Sequence, residues 1–230
     1  MPDSLKLRRH SLVWIRPECR AGLSAQITDD ALHAHVAAWL AADRPLVVAR
    51  QQCGATESDS IAAGTMAMGL ALPPAQGKCR IALKVSMHDI ARYTEPLLLV
   101  DAIPHAAIEW QPALAELDAA ATGIDIELRV FGSLAWQALS GVPYLTAQSD
   151  IDLLWHARSH AQLQQGIALL ARWEQSSALR ADGEVMFGDN CAVSWREWAT
   201  LQSGDDRRVL VKRRSSAELV DRRELLELLA

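Results

Sequence analysis

From Pro112 onward the apolar pattern of this chain alternates between a helical and a strand period, and that alternation restricts the fold more than any other feature. Pro112–Ala121 repeats at helical spacing and Gly123 stops it; Ile124, Ile126, Leu128 and Val130 then alternate with Asp125, Glu127 and Arg129, as a half-buried strand does. A helical run Leu134–Leu139, a strand Ser149–Trp155, a helix His160–Trp173 and a hairpin of Asp182–Phe187 with Cys191–Trp195 follow. Arg208–Lys212 is the last predicted strand, and Ser216 is placed to cap a closing helix carrying Leu219, Leu225, Leu226, Leu228 and Leu229. Strands separated by helical stretches in this way predict an α/β (α+β) fold, a mixed sheet with flanking helices.

The earlier residues form a different pattern. Arg9–Ile15 suits a strand, Asp29 or Asp30 can cap a helix over Ala31–Ala42 that Pro45 follows, and Leu46–Arg50 reads as a buried strand. A loop with Gly54, Ser58, Asp59 and Ser60 leads to Gly69–Pro74, where two prolines end regular pairing, and Gly77–Arg80 opens the alternating strand Ile81–Val85. We expect a small mixed α/β unit here. From residue 86 to 111 short apolar pieces are broken by prolines, the pattern of a linker, so the expected domains are 1–105 and 106–230.

Half of the 230 residues are apolar and 22% are charged, which excludes a disordered chain and leaves ample material for a core. With 23 basic and 28 acidic side chains the net charge is −5, so a general nucleic-acid binder is excluded. Cys19, Cys53, Cys79 and Cys191 include no C-x-x-C pair, which argues against zinc and against a disulfide scaffold. The start, Met1–His10, lacks the apolar stretch of a signal peptide, and nowhere do about 20 apolar residues run together, so a cytoplasmic protein with no membrane partner is expected.

Chemistry concentrates on two neighbouring segments. Asp150 and Asp152 are two apart on a predicted strand, hence on one face and about 6.5 Å apart at roughly 3.3 Å per residue. Two carboxylates so held can grip a hard divalent ion such as Mg2+, which takes oxygen ligands; the alternative is a solvated sheet face. Gly132 and Ser133 end one strand and open a helix, where unpaired backbone N–H groups and the positive end of the helix dipole favour an anion. A phosphate subsite and a metal subsite thus fall on consecutive strands. Further on, residues 207–223 hold seven basic side chains (Arg207, Arg208, Lys212, Arg213, Arg214, Arg222, Arg223) against Glu218 and Asp221, a local charge of +5. Such a segment either steers an acidic partner or is a solvated face.

The Gly-Ser then Asp-x-Asp order is similar to that of the nucleotidyltransferase superfamily that includes DNA polymerase beta. Arg129–Leu145 followed by Ser149–Trp155, with Arg9–Trp14, Pro45–Gln51, Gly69–Pro74 and Gly77–Ile81 upstream, resembles the phosphoribosyl-dephospho-CoA transferases of malonate decarboxylase systems, the malonate decarboxylase holo-acyl-carrier-protein synthases. The resemblance spans nearly the whole chain. It implies transfer of 2'-(5''-triphosphoribosyl)-3'-dephospho-CoA to a serine of an apo acyl-carrier subunit, with release of pyrophosphate at a two-metal Mg2+ site. Asp150 and Asp152 would hold the ions, and Gly132 and Ser133 the leaving phosphates. Superfamily members add a third carboxylate on a later strand; Glu184 is the choice here and Asp182 its rival. Arg50, Lys78, Arg80 and Lys212 are candidate substrate contacts, each with a solvated surface role as its alternative, and the N-terminal unit would bind substrate or carrier. A nucleotidyltransferase acting on a small-molecule acceptor and a catalytically silent carrier-docking protein are the competing readings.

Overall fold

The computed structural model describes residues 7–51, 64–201 and 207–229. Cys53 and the expected loop of Gly54, Ser58, Asp59 and Ser60 lie outside the described residues. Helices and sheets are mixed, and the chain divides into two units. The first comprises residues up to Pro96 with Arg214–Ser216; the second comprises Leu97–Arg213 and Ala217 onward. No helix among the described residues is long and apolar enough to cross a membrane.

The first unit is built on an antiparallel sheet of β1 (Leu12–Ile15), β2 (Leu46–Val48), β3 (Thr65–Ala71), β4 (Arg80–Ser86) and β5 (Ile90–Thr94), in the order β4-β3-β2-β1-β5. Strands β3 and β4 alternate as their sequences predict, with Met66, Met68, Leu70, Ile81, Leu83 and Val85 buried on one face. Between β1 and β2 run a short helix α1 (Arg20–Ser24) and the longer α2 (Asp30–Ala41). Asp29 caps α2, its carboxylate accepting from Leu32 N at 2.9 Å, and Val36, Trp39 and Leu40 form its buried stripe.

Residues 86–111 are not a linker. β5 pairs with β1, and Leu97–Leu98 forms β6, the edge strand of the second sheet, so the division falls after Pro96 instead of near 105. The pattern concealed this because β5 buries only Ile90 and β6 is two residues long, leaving no alternation to read.

The second unit holds seven strands in the order β12-β11-β10-β9-β8-β7-β6. After β6 come the helices α3 (Leu99–Ala102) and α4 (Gln111–Thr122), then β7 (Arg129–Val130) and α5 (Gly132–Ser140). Next are β8 (Ile151–Ala157), α6 (His160–Ser176), β9 (Ala181–Phe187), β10 (Cys191–Ser194) and α7 (Trp195–Ala199). β11 (Arg208–Lys212), β12 (Ala217–Asp221) and α8 (Arg222–Glu227) complete it. Only the β8–β9 pair is parallel among the described strands, and α6 supplies the crossover that such a pair requires.

Two expectations change here. The strand foreseen over Ile124–Val130 is paired only at Arg129 and Val130; upstream, the left-handed backbone at Asp125 (φ 57°) interrupts the extended run. Its alternation is nonetheless real, with Ile126, Leu128 and Val130 buried and Asp125 and Glu127 exposed. The closing helix begins at Arg222 under an Asp221 cap, not at Ser216: residues 217–221 form a hairpin with β11, and Leu219 lies outward, 54% exposed.

Pairing assigns every residue of the second sheet to a face. One face carries Val130, Ile151, Leu153, Trp155, Ala181, Val185, Phe187, Cys191, Val193, Val209, Val211 and Val220, all buried in one core with Leu114, Leu117, Leu163 and Leu170 from the helices. The other face carries Arg129, Asp152, Leu154, Asp182, Glu184, Ser194 and Lys212. The polar residues of the unit's chemistry therefore share the side of the sheet opposite its core.

Candidate active site

The site is founded where β7 passes into α5. Phe131 N donates to Asp152 O at 3.0 Å, extending the β7–β8 ladder by one bond, and the chain then turns at Gly132 with φ 64°. A β-carbon on Gly132 would lie 1.8 Å from Asp152 Oδ2 and 2.7 Å from its Cγ, so the Asp152 carboxylate rests on the bare Cα face of the glycine. Glycine is required twice over, by the left-handed backbone and by this approach. Ser133 is half-buried, and α5 begins without a side-chain cap hydrogen bond at Phe131.

Asp150 precedes β8 at its N-terminal end, where Ile151 N donates to Arg180 O at 2.8 Å. The Asp150 side chain is 32% exposed and pairs with Arg180 Nε at 3.5 Å. The connection that delivers Asp150 from α5 is ordered by Gln137, whose Oε1 accepts from Tyr144 N at 2.9 Å and Leu145 N at 3.0 Å. Ser149 Oγ then accepts from Thr146 N at 3.0 Å. The long stretch between Ser133 and Asp150 is thus a built loop.

On the adjoining strand Asp182 stands opposite Asp152 and Glu184 opposite Leu154. Their surroundings differ sharply. Asp182 is exposed, with Oδ1 accepting from Gly183 N at 2.8 Å, whereas the Glu184 side chain is 5% exposed and bound to Lys212 Nζ at 2.9 Å. A carboxylate at that depth is costly unless it is compensated, and Lys212 supplies a cation to it. Arg129, ion-paired with Glu127 at 2.6 Å, stands opposite Leu154 on the same face.

The structure therefore brings Gly132, Ser133, Asp150 and Asp152 to one corner of the sheet and joins Glu184 to Lys212 beside it. It does not gather Arg50, Lys78 and Arg80, all exposed and all in the first unit, at one place. Gln51, next to Arg50, holds Ala67 through two hydrogen bonds of its side-chain amide, while Arg80 stands opposite Ala71. Those positions on β3 are four residues or about 13 Å apart, so Arg50 and the Lys78–Arg80 turn occupy opposite ends of that sheet. Arg180 and Arg129 went unmarked by sequence reasoning; the alternation that put Asp150 and Asp152 on one face extends to Arg180 only once the β8–β9 register is known.

Among the described residues no group of three or more His, Cys, Asp or Glu side chains could hold a metal. The pair Asp150 and Asp152 nevertheless suits a magnesium-type ion, because its donors are all oxygen and such ions commonly take one or two carboxylates with substrate phosphates completing the shell.

Comparison with known proteins shows the family. Residues 97–223 match the family model described as Phosphoribosyl-dephospho-CoA transferase MdcG C-terminal domain, and residues 8–96 match the corresponding N-terminal domain model. A phosphoribosyl-dephospho-CoA transferase of Xanthomonas campestris pv. campestris is 44% identical over 94% of this chain and 95% of its own length. Those of Bradyrhizobium diazoefficiens and Azotobacter vinelandii are 36% and 31% identical, covering 95% and 92% of this chain and 92% and 91% of their own. No solved structure matches the chain.

Proposed function

This chain belongs to the phosphoribosyl-dephospho-CoA transferase family, whose two domain models together span residues 8–223, and it is a transferase. From that premise we propose that it moves the 2'-(5''-triphosphoribosyl)-3'-dephospho-CoA group to a serine of an apo acyl-carrier subunit, that of malonate decarboxylase, and releases pyrophosphate. The observation that carries this reading is the contact between Gly132 and Asp152: an anion-binding helix start and a cation-binding carboxylate are packed into a single corner.

The serine hydroxyl would attack the phosphoryl group that bears the pyrophosphate, in line with the departing oxygen. Asp150 and Asp152 would hold Mg2+, which when bound neutralises charge on the attacked and leaving phosphates. The chain's own part is positional. Backbone N–H groups at Gly132 and Ser133, with the Ser133 hydroxyl, receive phosphate oxygens, and the α5 dipole favours the charge they gather. The turn at Gly132 fixes the distance between that anion subsite and Asp152. Arg180, paired with Asp150 at 3.5 Å, adds positive charge beside these carboxylates.

The test is intact-protein mass of the carrier after incubation with donor, Mg2+ and either the wild-type enzyme or Asp152→Asn. Asparagine keeps the packing against Gly132 and removes the charge. We expect the carrier to gain the prosthetic group with wild type and the rate to fall by about a thousandfold or more in a folded variant. Near-normal transfer by Asp152→Asn would remove the carboxylate from the mechanism, and transfer to a small acceptor in place of the carrier would move the chain to the competing nucleotidyltransferase reading.

A further inference from the structure

We propose that Glu184 is a positioning residue for Lys212, and that Lys212 is a direct contact to the donor's phosphates; the inference rests on the transferase reading above. The superfamily pattern assigns a carboxylate at this place in the sheet to the metal. The contacts here assign it to a lysine.

The argument begins with register. Lys212 stands opposite Ala192, which stands opposite Met186, which stands opposite His156. Glu184 belongs to the next same-face row, with Ser194 and Leu154, one step nearer to Asp152. To meet Glu184 Oε1 at 2.9 Å, Lys212 must lean along the sheet toward Asp152 and away from its own row. At usual strand spacings the Glu184 and Asp152 Cα atoms are roughly 8 Å apart, so the ammonium is held within reach of a phosphate chain that touches Asp152.

Burial gives the direction of dependence. The Glu184 side chain is 5% exposed and that of Lys212 is 30% exposed. The carboxylate is therefore the fixed, enclosed member, and the ammonium keeps donors for a further partner. An ammonium on a flexible four-carbon stem is a compact point charge that binds phosphate well once its direction is set. Glu184 sets it. A carboxylate already committed to that ammonium is a poor ligand for a second cation, in keeping with the lack of a three-carboxylate cluster among the described residues.

The two roles separate in a double-variant cycle of Glu184→Gln, Lys212→Met and both together, each checked for folding by circular dichroism. If Glu184 acts through Lys212, E184Q leaves Mn2+ affinity in the absence of donor within about twofold of wild type. It raises the donor KM and weakens inorganic pyrophosphate binding by about tenfold while kcat changes little. In the K212M background E184Q adds nothing further to the donor KM. A tenfold loss of Mn2+ affinity in E184Q, or effects of the two substitutions that multiply, overturns the proposal and returns Glu184 to the metal. K212M takes an ammonium away from the buried Glu184 carboxylate; should it fail to fold, Mn2+ affinity in E184Q and in the double variant decides between the same two outcomes. A wild-type enzyme that transfers nothing from donor to carrier overturns the transferase reading instead, and Mn2+ and pyrophosphate binding still judge the pair.

Discussion

At Gly132 two constraints that usually occur separately coincide, a left-handed backbone and close contact with a carboxylate. Gly132→Ala should therefore damage activity far more than the fold. The left-handed conformation costs a non-glycine residue about 1–2 kcal/mol, which a domain of this size tolerates. The methyl group, however, cannot coexist with Asp152 Oδ2, and a displacement of about 1 Å at a reacting centre costs on the order of a hundredfold in rate. We expect kcat/KM to fall by about that factor with Tm lowered only modestly; full activity in a folded Gly132→Ala protein would show that the Asp152 position is not critical. These two residues were legible in the sequence because the chemistry of each is local: a strand that ends in Gly-Ser, and a period of two that puts Asp150 and Asp152 on one face. The ion pairs Glu184–Lys212 and Asp150–Arg180 were not, since each joins residues about thirty apart whose register only the folded sheet defines.

Among the elements, α6 and β8 meet at a point that fixes how closely the helix approaches the sheet. Alanine normally stabilises a helix interior over glycine by about 1 kcal/mol. At Gly166 the sign should reverse, because a β-carbon there would lie 2.5 Å from Trp155 Cη2 and 2.8 Å from Ile126 Cδ1, both ring and methyl being enclosed in the core. Overpacking of this kind costs about 1–3 kcal/mol, so Gly166→Ala should lower the urea midpoint through a net loss of up to about 2 kcal/mol at unchanged m value; a gain in stability would mean that α6 can slide outward freely. Long elements such as α2, α4, α6 and the β9–β10 hairpin were readable from period and caps. The strands that escaped, β5, β6 and β12, are sheet edges, and β6 is only two residues long. An edge strand buries at most one face lightly, so its sequence need not alternate, and β12 begins just where Ser216 offers a helix cap that the chain declines in favour of Asp221.

For the molecule as a whole, docking of the proposed protein acceptor turns on where basic side chains are exposed. Arg213 is ion-paired with Glu218 and also donates to Cys191 Sγ, so its reversal would strain the β11–β12 hairpin and confuse docking with folding. Arg208, exposed at the start of β11, is the better probe. If the +5 segment steers an acidic carrier, Arg208→Glu should lower the carrier's kcat/KM by about two- to fivefold at low salt with saturated turnover unchanged, and the defect should fade as the Debye length falls below about 8 Å. A salt-independent loss at saturating carrier would assign Arg208 to folding or chemistry. The division of the second sheet into an apolar and a polar side also determines which changes in chain length the enzyme can absorb. Residues added between Gly141 and Pro143 lengthen only the loop ahead of Tyr144, Leu145 and Thr146, whose N–H groups Gln137 and Ser149 hold. A single residue inserted between Asp150 and Asp152 would instead exchange the two sides of β8 downstream, turning Asp152 toward the core of Trp173 and Phe187 and Leu153 and Trp155 out of it, an error that no side-chain substitution elsewhere could correct.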